Sequence, residues 1–131
     1  MSSSNPQSTP PPEALGRHLL VDLYQCRSLP DNAQNLRELM EQAARIVGAT
    51  IVQSVFHQFQ PYGLSGVVVI AESHLSIHIW PEYGVASLDF FSCSEQLDPT
   101  PGVEFIRRAF QAESIKIENV MRGSQLNEHW P

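Results

Sequence analysis

Residues able to do chemistry crowd into one stretch of this sequence. Glu72-Ser73-His74 and Ser76-Ile77-His78 follow directly on the apolar run Gly66-Val67-Val68-Val69-Ile70-Ala71, and Cys93 lies further along the chain. A serine hydroxyl attacks a carbonyl only when a base and an oxyanion stabiliser stand beside it. Imidazole is the commonest such base near neutral pH, and a free thiol serves as nucleophile or acid. Titratable groups beside a buried strand are costly unless they are hydrogen-bonded or functional. Taken singly, each has an ordinary structural explanation: a strand-end hydroxyl, a hydrogen-bonded histidine, an inert thiol. His57 and His74 have only weak claims beyond that, and Cys26 has none. It is the grouping of Ser73, His78 and Cys93 that points to nucleophilic chemistry.

A hairpin must position these groups. Leu75 to Trp80 alternates, with Leu75, Ile77 and Ile79 on one face and Ser76, His78 and Trp80 on the other. Pro81-Glu82-Tyr83-Gly84 reads as a turn, and Val85 to Phe91 as the return strand. If Trp80 and Val85 flank the turn, paired residue numbers sum to 165. His78 then faces Ser87, Ser76 faces Asp89, Ser73 faces Ser92, and Glu72 faces Cys93. The turn type sets this register to within a residue or two. The expectation is that Ser73, His78, a carboxylate and the Cys93 thiol converge near the Glu72–Ser73 peptide bond.

The remaining elements follow from periodicity. His18 to Tyr24 alternates as a first strand. Asp31 as N-cap with Gln34 three residues on suggests a capping box. Leu36, Leu39, Met40, Ala43, Ala44 and Val47 then form a helical stripe ending at Gly48. Thr50 to Phe59 reads as a strand, and so does the Gly66 to Ala71 run. Thr100 as N-cap and Pro101 at N1 open a second helix carrying Val103, Ile106 and Phe110, and Ser114 to Met121 alternates as a last strand. The polar tail after Arg122 is expected to be loose. The order is β-α-β-β-β-β-α-β: an α+β, two-layer sandwich with an antiparallel sheet and two helices on one face. The other face, if apolar, needs a partner.

Composition bounds the possibilities. The 131 residues hold 8 Lys+Arg and 14 Asp+Glu, a net charge of −6, which disfavours nucleic acid and anionic membrane surfaces as partners. No run approaches the roughly 20 apolar residues of a spanning helix. Residues 1–13, rich in Ser and Pro, read as a disordered leader rather than a signal peptide, and 14–131 as one domain. The chain is expected to be cytoplasmic, with Cys26 and Cys93 as free thiols. There is no CxxC, HExxH or zinc-type spacing.

The run from Pro61 to Gly84, with Glu72-Ser73-His74 at its centre, closely resembles bacterial and archaeal S-adenosylmethionine decarboxylase proenzymes. So do Leu88 to Cys93, Leu15 to Leu19, Gly48 to Val52 and Phe56-His57. The resemblance covers roughly residues 15 to 121. It departs locally at Ile79, where the family usually has Thr, and at Ser94, where Gly is usual.

The resemblance implies self-processing. Ser73 attacks the carbonyl of Glu72, β-elimination cuts the chain, and residue 73 becomes a pyruvoyl group that forms a Schiff base with substrate. It implies no metal and no pyridoxal phosphate. His78 is implied as the processing base, Ser65 as an aid to the acyl intermediate, and Cys93 as the proton donor in turnover. Phe59, His78 and Glu82 match positions that bind the adenosyl group. The implied product is decarboxylated S-adenosylmethionine with CO2, feeding spermidine synthesis, and the implied assembly is a homo-oligomer of cleaved αβ protomers, a dimer or dimer of dimers. Two alternatives stay open: the same chemistry on arginine or ornithine, and a homologue that never cleaves and acts as a binding or regulatory subunit.

Overall fold

In β5, Val85–Ser92, every second residue is buried: Ala86, Leu88, Phe90 and Ser92. The same period runs through β4, Ser73–Trp80, which buries Leu75, Ile77 and Ile79, and β3, Leu64–Ile70, which buries Leu64, Gly66, Val68 and Ile70. Successive strand residues point to opposite faces, so one face of the sheet is apolar and must be covered. The computed structural model describes residues 12–129. The six strands form one antiparallel sheet ordered β2-β3-β4-β5-β1-β6, with β1 at Gly16–Cys26, β2 at Ile51–Gln58 and β6 at Ala112–Arg122.

Two helices cover the apolar face. Helix α1, Ala33–Ile46, buries Leu36, Met40, Ala43 and Ala44 over β2 and β3. Helix α2, Thr100–Phe110, buries Val103, Ile106 and Phe110 and packs on α1 and β6. Helix propensities differ by less than about 1 kcal/mol per ordinary residue, whereas each large apolar side chain buried contributes about 1.5–3 kcal/mol. The buried stripes therefore hold these helices in place. Gly66 on β3 is required by space: the Phe56 ring lies across it, and a Cβ there would sit 2.0 Å from the ring.

The two-layer α+β expectation holds, with local corrections. Asn32, not Asp31, caps α1, its side chain accepting from the Asn35 N–H at 2.8 Å, and no capping box forms because Gln34 donates forward to Glu38. Thr100 is the first residue of α2 rather than its cap. Asp98 accepts from the Thr100 N–H at 3.0 Å instead, since an aspartate readily bonds its own backbone two residues on. The tail expected to be loose carries a short helix, α3, Leu126–His129, with nothing buried. Of the expected leader, Pro12 and Glu13 are exposed, and residues 1–11 lie outside the described residues. No helix among the described residues is long and apolar enough to cross a membrane.

Candidate active site

The turn between β4 and β5 sets the register of the site. Tyr83 N–H donates to Trp80 O at 3.1 Å, and Gly84 takes φ +65°, a conformation glycine adopts without strain. Trp80 then pairs with Val85, His78 with Ser87, Ser76 with Asp89 and Ser73 with Ser92. This is the register in which residue numbers sum to 165. One step further, the Cys93 N–H donates to the Glu72 carbonyl oxygen at 3.0 Å.

Several contacts converge on the Glu72–Ser73 bond. The Glu72 carboxylate accepts from the Thr50 N–H at 3.2 Å, and the Ala71 N–H donates to Thr50 O at 2.8 Å. Glu72 is thereby tied to the start of β2 by side chain and neighbour alike. Ser73 has φ +153°, which non-glycine residues rarely adopt, so the backbone at this bond is strained. Its Oγ lies 3.3 Å from His74 Nδ1. The Cys93 side chain is exposed. Ser94 takes no positive φ, and its N–H donates to the Ser92 Oγ at 3.0 Å, so serine is accommodated there without backbone strain.

His78 is not part of this group. It lies five residues along β4 from Ser73, about 16 Å at roughly 3.3 Å per residue, and the odd spacing turns the two side chains to opposite faces. The expected convergence of Ser73, His78 and Cys93 within one chain therefore does not occur. His78 instead heads a second cluster on the open face. Ser65 pairs with it in register and donates from Oγ to Ile77 O at 3.3 Å. The Trp80 and Phe59 rings stand 4.3 and 5.9 Å from the His78 ring, and His57 packs edge-on against Phe59 at 4.5 Å. Glu82 is exposed in the adjoining turn. The sequence-derived residues thus divide into two half-sites: Glu72, Ser73 and Cys93 at one end of β4, and Ser65, Phe59, His78 and Glu82 at the other.

A polar network that the sequence reading passed over borders the first half-site. His18 Nε2 lies 2.5 Å from Asp89 Oδ2, and Ser76 Oγ donates to Asp89 Oδ1. His74 Nε2 lies 3.6 Å from Asp89 Oδ2, a close contact rather than a hydrogen bond. Arg122 Nη1 lies 3.0 Å from His18 Nδ1. A guanidinium can only donate, so His18 accepts at Nδ1 and carries its proton on Nε2, toward Asp89. The His74 ring stacks on Phe91 at 5.4 Å and 26°. One ligand atom each from His18, His74 and Asp89 lies within 4.8 Å of the others, which would suit a cation. Binding one through His18 Nε2 would require moving the proton that the Arg122 contact places there. The signal for these residues was present in the alternation: His74 shares the polar face of β4 with Ser76, and Asp89 lies opposite Ser76 in the predicted register.

At Cys26, the other thiol, burial pushes the pKa up, against a smaller opposing effect of a hydrogen bond with the Ala86 backbone. A cleft of about 500 Å³ opens beyond Ser92, bounded by Arg17, Ser94, Asp98 and Asn119.

Comparison with known proteins bears on the chemistry. The family model described as S-adenosylmethionine decarboxylase matches residues 17–123. An S-adenosylmethionine decarboxylase proenzyme of Thermotoga maritima is 50% identical over 112 residues, covering 85% of this chain and 86% of its own. One from Thermodesulfovibrio yellowstonii is 43% identical over 121 residues, covering 90% of each. The crystal structure of the adenosylmethionine decarboxylase from Aquifex aeolicus superposes with a TM-score of 0.75 at 35% identity, covering 84% of this chain and 92% of that one. The chain belongs to the S-adenosylmethionine decarboxylase family.

Proposed function

We propose that this chain is a self-processing, pyruvoyl-dependent S-adenosylmethionine decarboxylase, whose product, decarboxylated S-adenosylmethionine, serves spermidine synthesis. The observation that carries the reading is the Cys93 N–H donated to the carbonyl of Glu72, beside the Ser73 hydroxyl. A carbonyl under attack develops negative charge on oxygen, and a fixed backbone donor stabilises that charge with no reorganisation at the moment of reaction. The residues fit the group to be made: residue 73 itself supplies its atoms, its carbonyl neighbour is held by a donor, and its backbone is strained where the bond must break. Once formed, a pyruvoyl group supplies the electron sink that lets a carboxylate leave.

The chain's own residues do the rest. Cys93, one residue past the end of β5, exposes a thiol beside the first half-site as the proton donor of turnover. Phe59 and His78 offer ring faces for a purine, and Glu82 a carboxylate for ribose hydroxyls. His78, with Ser65, serves as the base of the elimination step. Since these lie about 16 Å from Ser73 along β4, they act on the Ser73 of a second copy. The open sheet face supports such a copy, because it exposes Leu20, Val55, Val67, Val69 and Trp80 around its polar centre.

Intact-mass measurement of the purified protein tests processing: two chains, split after Glu72, are expected, and a single uncut chain rejects the reading. Assays with S-adenosylmethionine, arginine and ornithine test the substrate. Release of CO2 from either amino acid but not from S-adenosylmethionine rejects the substrate assignment while leaving the processing chemistry intact.

A further inference from the structure

We propose that His74 is the base of the first processing step, the transfer of the Glu72 acyl group from the Ser73 nitrogen to the Ser73 hydroxyl. This rests on the self-processing reading and assigns it a step that His78 cannot perform within the same chain. His74 Nδ1 is 3.3 Å from the Ser73 Oγ, somewhat longer than an ideal hydrogen bond, as is common before a site tightens around its transition state. The other ring nitrogen faces a carboxylate. His74 Nε2 is 3.6 Å from Asp89 Oδ2, and a carboxylate there favours the tautomer with the proton on Nε2. Nδ1 is then left with a lone pair directed at the hydroxyl, as a general base requires. Asp89 is itself fixed: His18, its own tautomer set by Arg122, donates to one oxygen, and Ser76 donates to the other. The Phe91 ring, stacked on His74, fixes the plane of the imidazole. Arg122, His18, Asp89 and His74 thus form an ordered series ending at the nucleophile, all from one chain. Nucleophile, base and orienting carboxylate are disposed in the order that activates a hydroxyl elsewhere.

The step balances. The Oγ–H proton passes to His74 Nδ1 as Oγ bonds to the Glu72 carbonyl carbon. The oxyanion that results is held by the Cys93 N–H. The bond from that carbon to the Ser73 nitrogen then breaks, and the proton on His74 passes to the departing amine. The product is an ester between the Glu72 carbonyl and the Ser73 oxygen. No water, oxidant or net proton is consumed. His78, arriving from a second copy, removes the Cα proton in the elimination that follows. Two histidines, His74 and His78, therefore take two different protons in successive steps.

Hydroxylamine separates the two steps, because it cuts an ester and leaves an amide. Purified wild type, Ser73→Ala, His74→Ala and His78→Ala are followed by intact mass with and without hydroxylamine. His78→Ala is expected to stay uncut alone and to be cut by hydroxylamine after Glu72. His74→Ala is expected to process about 10²–10⁴-fold more slowly, to resist hydroxylamine as Ser73→Ala does, and to regain part of its rate with added imidazole. A role confined to packing would show no imidazole rescue. Thermal melting checks that His74→Ala folds. If it does not, His74→Gln, which keeps a polar side chain over Phe91, is put through the same hydroxylamine test. His74→Ala or His74→Gln cutting at the wild-type rate, or accumulating a hydroxylamine-labile ester, overturns the assignment while self-processing stands. A wild-type chain that never cuts overturns both.

Discussion

The peptide N–H of Cys93 is bonded to the carbonyl oxygen of Glu72 at 3.0 Å, so the roles proposed above put the backbone and the side chain of one residue in two different reactions. In the proposed mechanism the backbone stabilises the carbonyl under attack during processing, and the thiol serves the mature enzyme. The two contributions are separable by mutation. Cys93→Ala keeps the N–H and is expected to cleave at close to the wild-type rate while losing most turnover. Cys93→Pro removes the N–H and is expected to slow cleavage by roughly 10²–10³-fold, the usual cost of one oxyanion donor. Gel densitometry of the two chains against time measures the first effect, and CO2 release the second. Equal cleavage by both variants would remove the backbone from the mechanism.

The separation of the two half-sites along β4 gives a complementation test. Co-expressed Ser73→Ala and His78→Ala chains, distinguished by tags, should yield cleavage of the His78→Ala chain alone. Its own Ser73 is intact and its partner supplies His78. Expressed alone, neither should cut. A His78→Ala chain that remains intact in the mixture would place His78 outside the processing reaction of a second copy.

The thiols should differ in reactivity. Burial raises the Cys26 pKa, so less of it is thiolate at any given pH than of an ordinary cysteine, while Cys93 is exposed. One equivalent of iodoacetamide is therefore expected to label Cys93 first, with turnover lost in parallel. Peptide mapping by mass spectrometry gives the ratio, and preferential labelling of Cys26 would contradict the structure.

Acid should loosen the start of α2. The Thr100 backbone N–H, and secondarily its hydroxyl, hold the Asp98 carboxyl below the ordinary value of 3.8. Because the folded value is the lower one, this contribution to stability is present above pH 3.8 and is lost as pH falls through the folded value. In the uncleaved Ser73→Ala background, Asp98→Ala is expected to lower Tm at pH 7. The gap to its parent should close as the pH is taken below 3.8. A gap that persisted undiminished in acid would mean that the Asp98 charge is not what holds the start of this helix.

Much of this was legible in the sequence. A four-residue turn between two cleanly alternating strands gave the register that brings Glu72 opposite Cys93, and the buried face of each strand was readable from its apolar positions. The helix starts were not: Asn32 caps α1 beside Asp31, a residue of equal capping propensity, α2 is capped at Pro99 with no side-chain bond, and only local backbone geometry chooses between neighbours. The supposed meeting of Ser73 with His78 was excluded by the same alternation that located the strand: an odd spacing puts them on opposite faces. His18 and Arg122 were illegible for another reason. His18 reaches Asp89 from β1 and Arg122 reaches His18 from β6, and nothing local to either residue indicates which strand will lie beside which.

The order of strands decides what a cut after Glu72 does to the molecule. Residues up to 72 contribute β1, β2 and β3, and residues from 73 contribute β4, β5 and β6. In the order β2-β3-β4-β5-β1-β6, three of the five ladders join strands from opposite sides of the cut. The first fragment reaches across the second and inserts β1 between β5 and β6, so the two are woven rather than merely stacked. Neither can leave without tearing several rows of backbone hydrogen bonds and opening the shared core. The proposed cut would therefore make two polypeptides and still one folding unit, and would free only its own new ends, at the place where the proposed reactive group must be able to meet a substrate.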